Sequence, residues 1–549
     1  MSKRNLARNT TLLVSSAVSA VWSDPLDYLS KVTQRLPRSI VRILRMFLNL
    51  GRPGACRSAY VFWLDGHVSE AQEFLERTEP SQRHRFFNEL AVHLRASHLI
   101  DTDELSPRLK KLIRQHAGDS IQDFPVALPS QPLNEVSSKD LSVFHLLTNS
   151  APHSHGGYAY RSHKLLRAQQ RAGARVAAAT RLGYPVVLGK GGARRTDRVD
   201  GIVYHRLLPW KLKATPAAQV RQAADLLTPL VKEFGADVIS TTTDFTNALV
   251  ASVVAQRLQI PWTYEFRGLP EDTWVASFKS DGERLEAGTS PRYEQHQRME
   301  ISAAKAAAHV FALGPALASD LESRGVNPKA ITTLRNAVNP EAQFAQGDMA
   351  ALRRKLGIPR AELWVGSITS LVPYEGLDLL LKAVSAARLE GVDVRALIVG
   401  DGVSRPSLEK TAKELGLRHG QEVIFTGRLS YGKAATYYGA LDVFALPRKD
   451  ERVCRLVEPL KPLQAVAAGR PIMSSDLPAL RNLLEPFKAA IFLPPDDPST
   501  WTRALMQWVR SPSSRQAHEY RGDIMSTEFT WPAQAELSLA ATGAKDRDR

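Results

Sequence analysis

The feature that most constrains this chain is a change of rhythm near residue 140. Beyond it, short β-rich runs alternate with helical stretches: 143–147, 176–179, 237–240, 262–266 and 309–313, then a second series at 364–368, 394–399, 423–425, 443–446 and 472–474. Such alternation is the pattern of a parallel sheet with crossover helices. Two series in tandem predict an α/β chain of two Rossmann-like, doubly wound domains. The carboxyl ends of their strands face a common cleft, where ligands bind.

The first 140 residues read differently. The segment LPRSIVRILRMFLNL (36–50) sets Arg38, Arg42 and Arg45 at helical spacing beside an apolar face. Two readings stand for it: a basic-faced helix packed on its own domain, or a segment lying on an anionic membrane surface. Residues 59–96 read as two helices, loosely like one tetratricopeptide unit, and a single unit cannot build a solenoid. Pro, Ser and Gln gather between residues 120 and 140, the composition of a linker. The expected divisions are a helical accessory region at 1–138, two α/β domains at 139–345 and 346–530, and a C-terminal tail at 531–549, disordered over its final dozen residues.

Charge narrows the partners. The net charge is +16, and the first 57 residues hold ten Lys or Arg against two Asp, so about half the excess precedes the α/β part. A basic surface attracts phosphates, nucleic acids and anionic lipids alike. The basic residues lie in no recognition helix, zinc spacing or aromatic ribonucleoprotein motif, which sets nucleic acid aside. Cys56 and Cys454 fit no metal or redox spacing. The stretch 11–22 is too short and too rich in Ser to cross a bilayer. The expected location is cytoplasmic, peripheral at the inner face of the cell membrane.

Several motifs fall where the strands end. The first strand runs into NSAPHSHGGYAYRSHKLLRAQQRAG, where Gly156 and Gly157 open a helix. Glycine lets backbone N–H groups approach a phosphate, and the helix N-terminus favours its charge. His153 and His155 lack a third ligand, so no metal is expected. Neither domain opens on a dinucleotide fingerprint, and Gly400-Asp401-Gly402 reads as a strand-to-helix turn.

The later motifs come in a telling order: VGSITSLVPYEGLDLLLKA, ALIVGDG, VIFTGRLSYGKAATYYGALDVFALPR and EPLKPLQAVAAGRPIMSSDLPAL. Together they resemble the family-4 glycosyltransferases of GT-B fold, and among these the exosortase- and exopolysaccharide-associated subgroup, over roughly residues 143–484.

The resemblance implies retaining transfer from a nucleotide-diphosphate sugar held by the second domain to a glycan or lipid-linked acceptor held by the first. No other cofactor is expected. Departure of the diphosphate leaves an oxocarbenium-like sugar, so the enzyme must stabilise negative charge on the leaving group. Arg448 and Lys461 are the cations placed for that, with Gly156 and Gly157 capping the diphosphate from the other domain. Lys461 also reads as a solvated first-turn residue, although a cation is unfavourable at a helix N-terminus.

In YEFRGLPED, Arg267 and Gly268 stand where many family members have a His-Gly pair at the reaction centre. Arg267 reads equally as a local ion-pair partner of Glu265.

This chain departs from the family at several positions. Of two Glu separated by seven residues, the second, which binds the ribose, is Gln464 here, and the first is Leu456. Gln can bond a hydroxyl, but without charge assistance. Glu458, two places on, reads either as a catalytic substitute for the first Glu or as a helix-start carboxylate. The Arg and Lys that many members carry after the first strand of this domain are replaced by Ser370 and Glu375. These departures keep an alternative open, a catalytically silent GT-B module that binds a glycan or a partner protein.

Overall fold

The computed structural model describes residues 3–23, 109–110, 124–134, 136–137, 141–154, 156–278, 281–338, 349–429, 431–511 and 528–545. The amphipathic segment 36–50 with Arg38, Arg42 and Arg45, the helical pair at 59–96, and His155 lie outside the described residues.

Helix α1 (Lys3–Ser23) docks on the first α/β domain through Leu12, which is fully buried against Val186, Ala193 and Leu208. Strands β1 (Ser142–Leu147), β2 (Arg175–Thr180), β3 (Thr196–Val199), β4 (Ile202–Arg206), β5 (Val238–Thr242), β6 (Trp262–Phe266), β7 (His309–Ala312) and β8 (Ile331–Thr333) form one sheet. Their order is β3-β4-β2-β1-β5-β6-β7-β8, parallel except for the β3–β4 hairpin at the edge. Helices α2 (Gly157–Arg171), α3 (Pro216–Phe234), α4 (Phe245–Leu258), α5 (Pro270–Ala276) and α6 (Pro315–Ser323) flank it. The central strands are buried throughout, because helices cover both faces.

The second sheet orders β9 (Leu363–Ile368), β10 (Val394–Val399), β11 (Val423–Phe425), β12 (Val443–Leu446), β13 (Ile472–Ser475) and β14 (Ala490–Leu493) as β11-β10-β9-β12-β13-β14, all parallel. Helices α7 (Leu377–Leu389), α8 (Arg452–Leu456) and α9 (Lys461–Ala467) belong to this half. Both sheets reverse direction beside their first strand, at β1/β5 and at β9/β12. A crevice opens at such a switch point, because the crossovers on either side of it run to opposite faces.

One expectation is corrected. Residues 531–541, expected within a C-terminal tail, form helix α10 (Trp531–Ala541) packed on α2. Thr530 caps it by accepting from the Ala533 N–H, Pro532 suits its first turn, and Trp531, Ala535 and Leu539 are buried against the first domain. Gln169 of α2 donates to Ser538 Oγ at 3.0 Å. The chain thus leaves the second domain and closes on the first.

Candidate active site

At the switch point of the second sheet, Thr369 follows β9 and Arg448 follows β12. Arg448 Nη2 donates to Glu375 Oε1 at 2.7 Å, and Lys461 Nζ donates to Thr369 Oγ1 at 2.8 Å. Burial alone would raise the Glu375 carboxyl, but Arg448 and Lys461 outweigh it and hold it below the usual range. Burial and the nearby Arg448 lower the Lys461 ammonium to about 8, against the pull of Glu375. Arg448 is buried, yet Glu375 beside it keeps its charge firmly in place. Two cations and one carboxylate therefore leave a net positive, water-poor corner.

The loop geometry depends on glycine. A Cβ on Gly376 would fall 1.7 Å from Pro447 O, and its φ of 66° already disfavours side chains. A Cβ on Gly400, at φ 141°, would fall 1.8 Å from Thr369 O. These contacts press the β9, β10 and β12 loops together and bring Glu375 to Arg448.

Glu458 is buried where the two domains meet. Among the described residues neither of its carboxylate oxygens has a hydrogen-bond partner, and Arg335 of the first domain stands 3.9 Å away. Burial pushes the carboxyl up to about 7, with Arg335 and Arg161 pulling the other way. Its backbone oxygen accepts from Asn336 Nδ2 at 3.1 Å. Gly314, at the N-terminus of α6, leaves room for the side chain.

In the first domain, Arg267 donates to Ser162 Oγ at 2.6 Å and to Glu265, which Arg161 also binds at 2.8 Å. The ion pair between Arg267 and Glu265 is thus present. The two guanidinium groups overcome burial and hold Glu265 at about 2. Arg161 further donates to Leu334 O, Arg335 O and Asn336 Oδ1. A polar chain consequently runs Arg267–Glu265–Arg161–Asn336–Glu458 across the domain boundary. Arg161 escaped the sequence reading, although a lone arginine on the apolar face of α2 was its signal.

Between β1 and β5, a cavity of roughly 210 Å3 is lined by Asn149, Tyr158, Ser162, Thr243, Asp244 and Arg267 among others. Hydroxyls, an amide, one carboxylate and one guanidinium make it a site for a polar, hydroxyl-bearing ligand.

The remaining predicted positions fall as follows. Gly156 caps α2 and Gly157 is its first residue, with open space where a Cβ of Gly157 would stand. Ser370 is exposed at the end of β9. Gln464 is buried, its Oε1 accepting from Tyr438 Oη at 2.8 Å. His153 is tied to Asp197 at 3.1 Å.

Arg452 of α8 reaches across the cleft. It donates to Glu271 at 3.1 Å, Asp272 at 2.9 Å and Asp320 at 3.3 Å, all in the first domain.

Two family descriptions match the chain: "Glycosyl transferase 4-like domain" over residues 156–337 and "Glycosyl transferases group 1" over residues 360–511. The D-inositol 3-phosphate glycosyltransferase of Stackebrandtia nassauensis is 27% identical over 227 residues, 40% of this chain and 49% of that protein. The alpha-monoglucosyldiacylglycerol synthase of Streptococcus pneumoniae is 23% identical over 255 residues, 46% of this chain and 55% of that protein. The chain thus spans about half the length of these curated relatives. Among solved structures, sucrose-phosphate synthase from Thermosynechococcus elongatus superposes with a TM-score of 0.57 at 19% identity, covering 72% of this chain and 97% of that one. HepE of Anabaena, solved with UDP-glucose, gives 0.53 at 16% identity, covering 73% and 99%. At such identities the likeness is one of fold, the two-domain GT-B architecture.

Proposed function

From a chain that joins a glycosyl transferase 4-like domain to a group 1 glycosyl transferase domain in the GT-B fold, we propose a nucleotide-sugar-dependent glycosyltransferase. It moves a sugar, with retention, from a nucleoside-diphosphate donor to a glycan or lipid-linked acceptor in the building of cell-surface or secreted polysaccharide. The observation that carries this reading is the pair of cations, Arg448 and Lys461, fixed through Glu375 and Thr369 at the second sheet's switch point.

Breaking the bond from the anomeric carbon to the diphosphate leaves the electron pair on the phosphate oxygen. Fixed cations in a dry site stabilise that charge without reorganising. Lys461 and Arg448 act from the donor side, and the N-terminus of α2 at Gly156 and Gly157 caps the same group from the acceptor side. The Glu458 carboxyl has both oxygens available for the hydroxyls or the developing positive charge of the sugar. Arg267, anchored by Glu265, faces the acceptor cavity.

The silent-module reading rests on Leu456 and on Gln464, whose oxygen is occupied by Tyr438. Release of nucleoside diphosphate from UDP-, GDP-, ADP- and TDP-linked sugars separates the two. Turnover with any donor supports the transferase, whereas binding of a nucleotide without release supports the silent module.

A further inference from the structure

The face of α1 turned away from its docking contacts lines an open apolar groove. Leu12 anchors the helix, and Asn9 Nδ2 donates at 2.8 Å to both Gly191 O and Ala193 O. This fixes the rotation of α1 and leaves Leu6, Thr10 and Val14, spaced one turn apart, along one wall. The other wall is the segment that follows β4, from Pro209 to Ala214, with Leu226 of α3 also lining the space of roughly 1520 Å3. Leu6, Val14 and Trp210 are 53%, 54% and 47% exposed. Large apolar side chains gathered around one concavity mark a binding surface rather than chance exposure.

Charge indicates what occupies it. Lys190, Arg194, Arg195, Lys211 and Lys213 are exposed on the adjoining loops, and neither 186–195 nor 209–214 contains a carboxylate. An apolar trough with a cationic rim is complementary to an amphiphile with an anionic head. Position indicates why it is there. The groove loops leave the carboxyl ends of β2 and β4, the same rim from which the polar cavity opens between β1 and β5. Three strand spacings of about 4.8 Å separate β4 from β5 along that rim.

We propose that the groove seats the apolar chain of the acceptor, so that the acceptor is a lipid whose anionic head crosses the basic rim toward the Asp244–Arg267 cavity. This assignment rests on the transferase reading and narrows its acceptor to an amphiphile.

The test uses the full chain and hexadecyl phosphate bearing a diazirine near the chain end, irradiated and mapped by peptide mass spectrometry. Adducts are expected on residues 6–15 and 209–214. Val14→Asp and Trp210→Glu, both at exposed positions, should each cut labelling at least fivefold while the thermal shift with nucleotide stays as in wild type. Dodecyl phosphate should protect, and inorganic phosphate at equal concentration should not. Adducts elsewhere, none at all because another segment of the chain fills the groove, or protection by inorganic phosphate alone would overturn the proposal. Groove labelling in a wild-type chain that binds no nucleotide would overturn the acceptor assignment together with the transferase reading. Nucleotide binding without groove labelling overturns the lipid proposal only.

Discussion

Gly314 in the first domain lies so close to Glu458 in the second that a Cβ on it would stand 2.5 Å from the carboxyl carbon. The backbone at Gly314 is extended, with φ −163°, so sterics rather than conformation reserve this position for glycine. The missing side chain is what lets a carboxylate be buried between the domains.

Gly314→Val should displace Glu458 and open the domain boundary. The expected result is a loss of turnover of roughly 100-fold, the scale of misplacing a reacting group by about 1 Å, with the first domain still folded by circular dichroism. Wild-type turnover in this variant would mean that the carboxylate position is immaterial.

Glu458 should also make stability depend on pH. Its folded value of about 7 lies above the ordinary 4.5, so the folded chain keeps a proton that the unfolded chain has released. The stabilisation is complete below about pH 4.5 and is lost as pH rises through about 7. Glu458→Gln lacks this loss. Relative to wild type, the variant should gain roughly 3 kcal/mol between about pH 5 and about pH 8 in nucleotide-free protein, at about 1.4 kcal/mol per pH unit. Urea unfolding at the two pH values measures it, and parallel behaviour of the two proteins would contradict the burial argument.

Gly376→Ala should destabilise the second domain by roughly 2–4 kcal/mol, because the new methyl meets a backbone oxygen that cannot move aside. It should also separate Glu375 from Arg448. A variant as stable as wild type in urea would show that the β9 and β12 loops are looser than described.

Arg452→Ala removes the cation that three first-domain carboxylates share, leaving Glu271 buried beside Asp272. We expect a stability loss of roughly 2 kcal/mol, below the range for a fully buried pair because Arg452 is partly solvated. A rise in donor KM on the order of tenfold should accompany it, with kcat less affected. An unchanged KM would remove Arg452 from any part in closing the cleft.

Much of this architecture was legible in the chain because its parallel strands stand out as short β-rich runs between helical stretches. The runs at 262–266, 394–399, 423–425 and 443–446 coincide with β6, β10, β11 and β12 residue for residue. The hairpin β3–β4 was not legible, since β3 at the solvated edge, TDRV, carries one apolar residue and forms no β-rich run. Helix α10 was hidden by its pattern: Ala533, Ala535, Leu537 and Leu539 alternate with Gln534, Glu536 and Ser538 instead of recurring at helical spacing, and only the returning contact with α2 gives its buried residues a surface to cover.

In the site, Arg448 and Lys461 were named only through the resemblance of their motifs to the glycosyltransferase family. Their contacts with Glu375 and Thr369 were not legible, because these depend on glycines that bring separate loops together. Gly314 acts through packing against Glu458 across the domain boundary, which no local pattern encodes.

The measurement that bears most directly on the central claim is calorimetric titration of the full chain with UDP-, GDP-, ADP- and TDP-linked sugars, for wild type and Lys461→Ala. Saturable binding of one nucleotide class is expected, weakened at least tenfold by the substitution, as removal of one charge-assisted contact requires. Folded wild-type protein that binds none of them, or binding that is indifferent to Lys461→Ala, would contradict that claim.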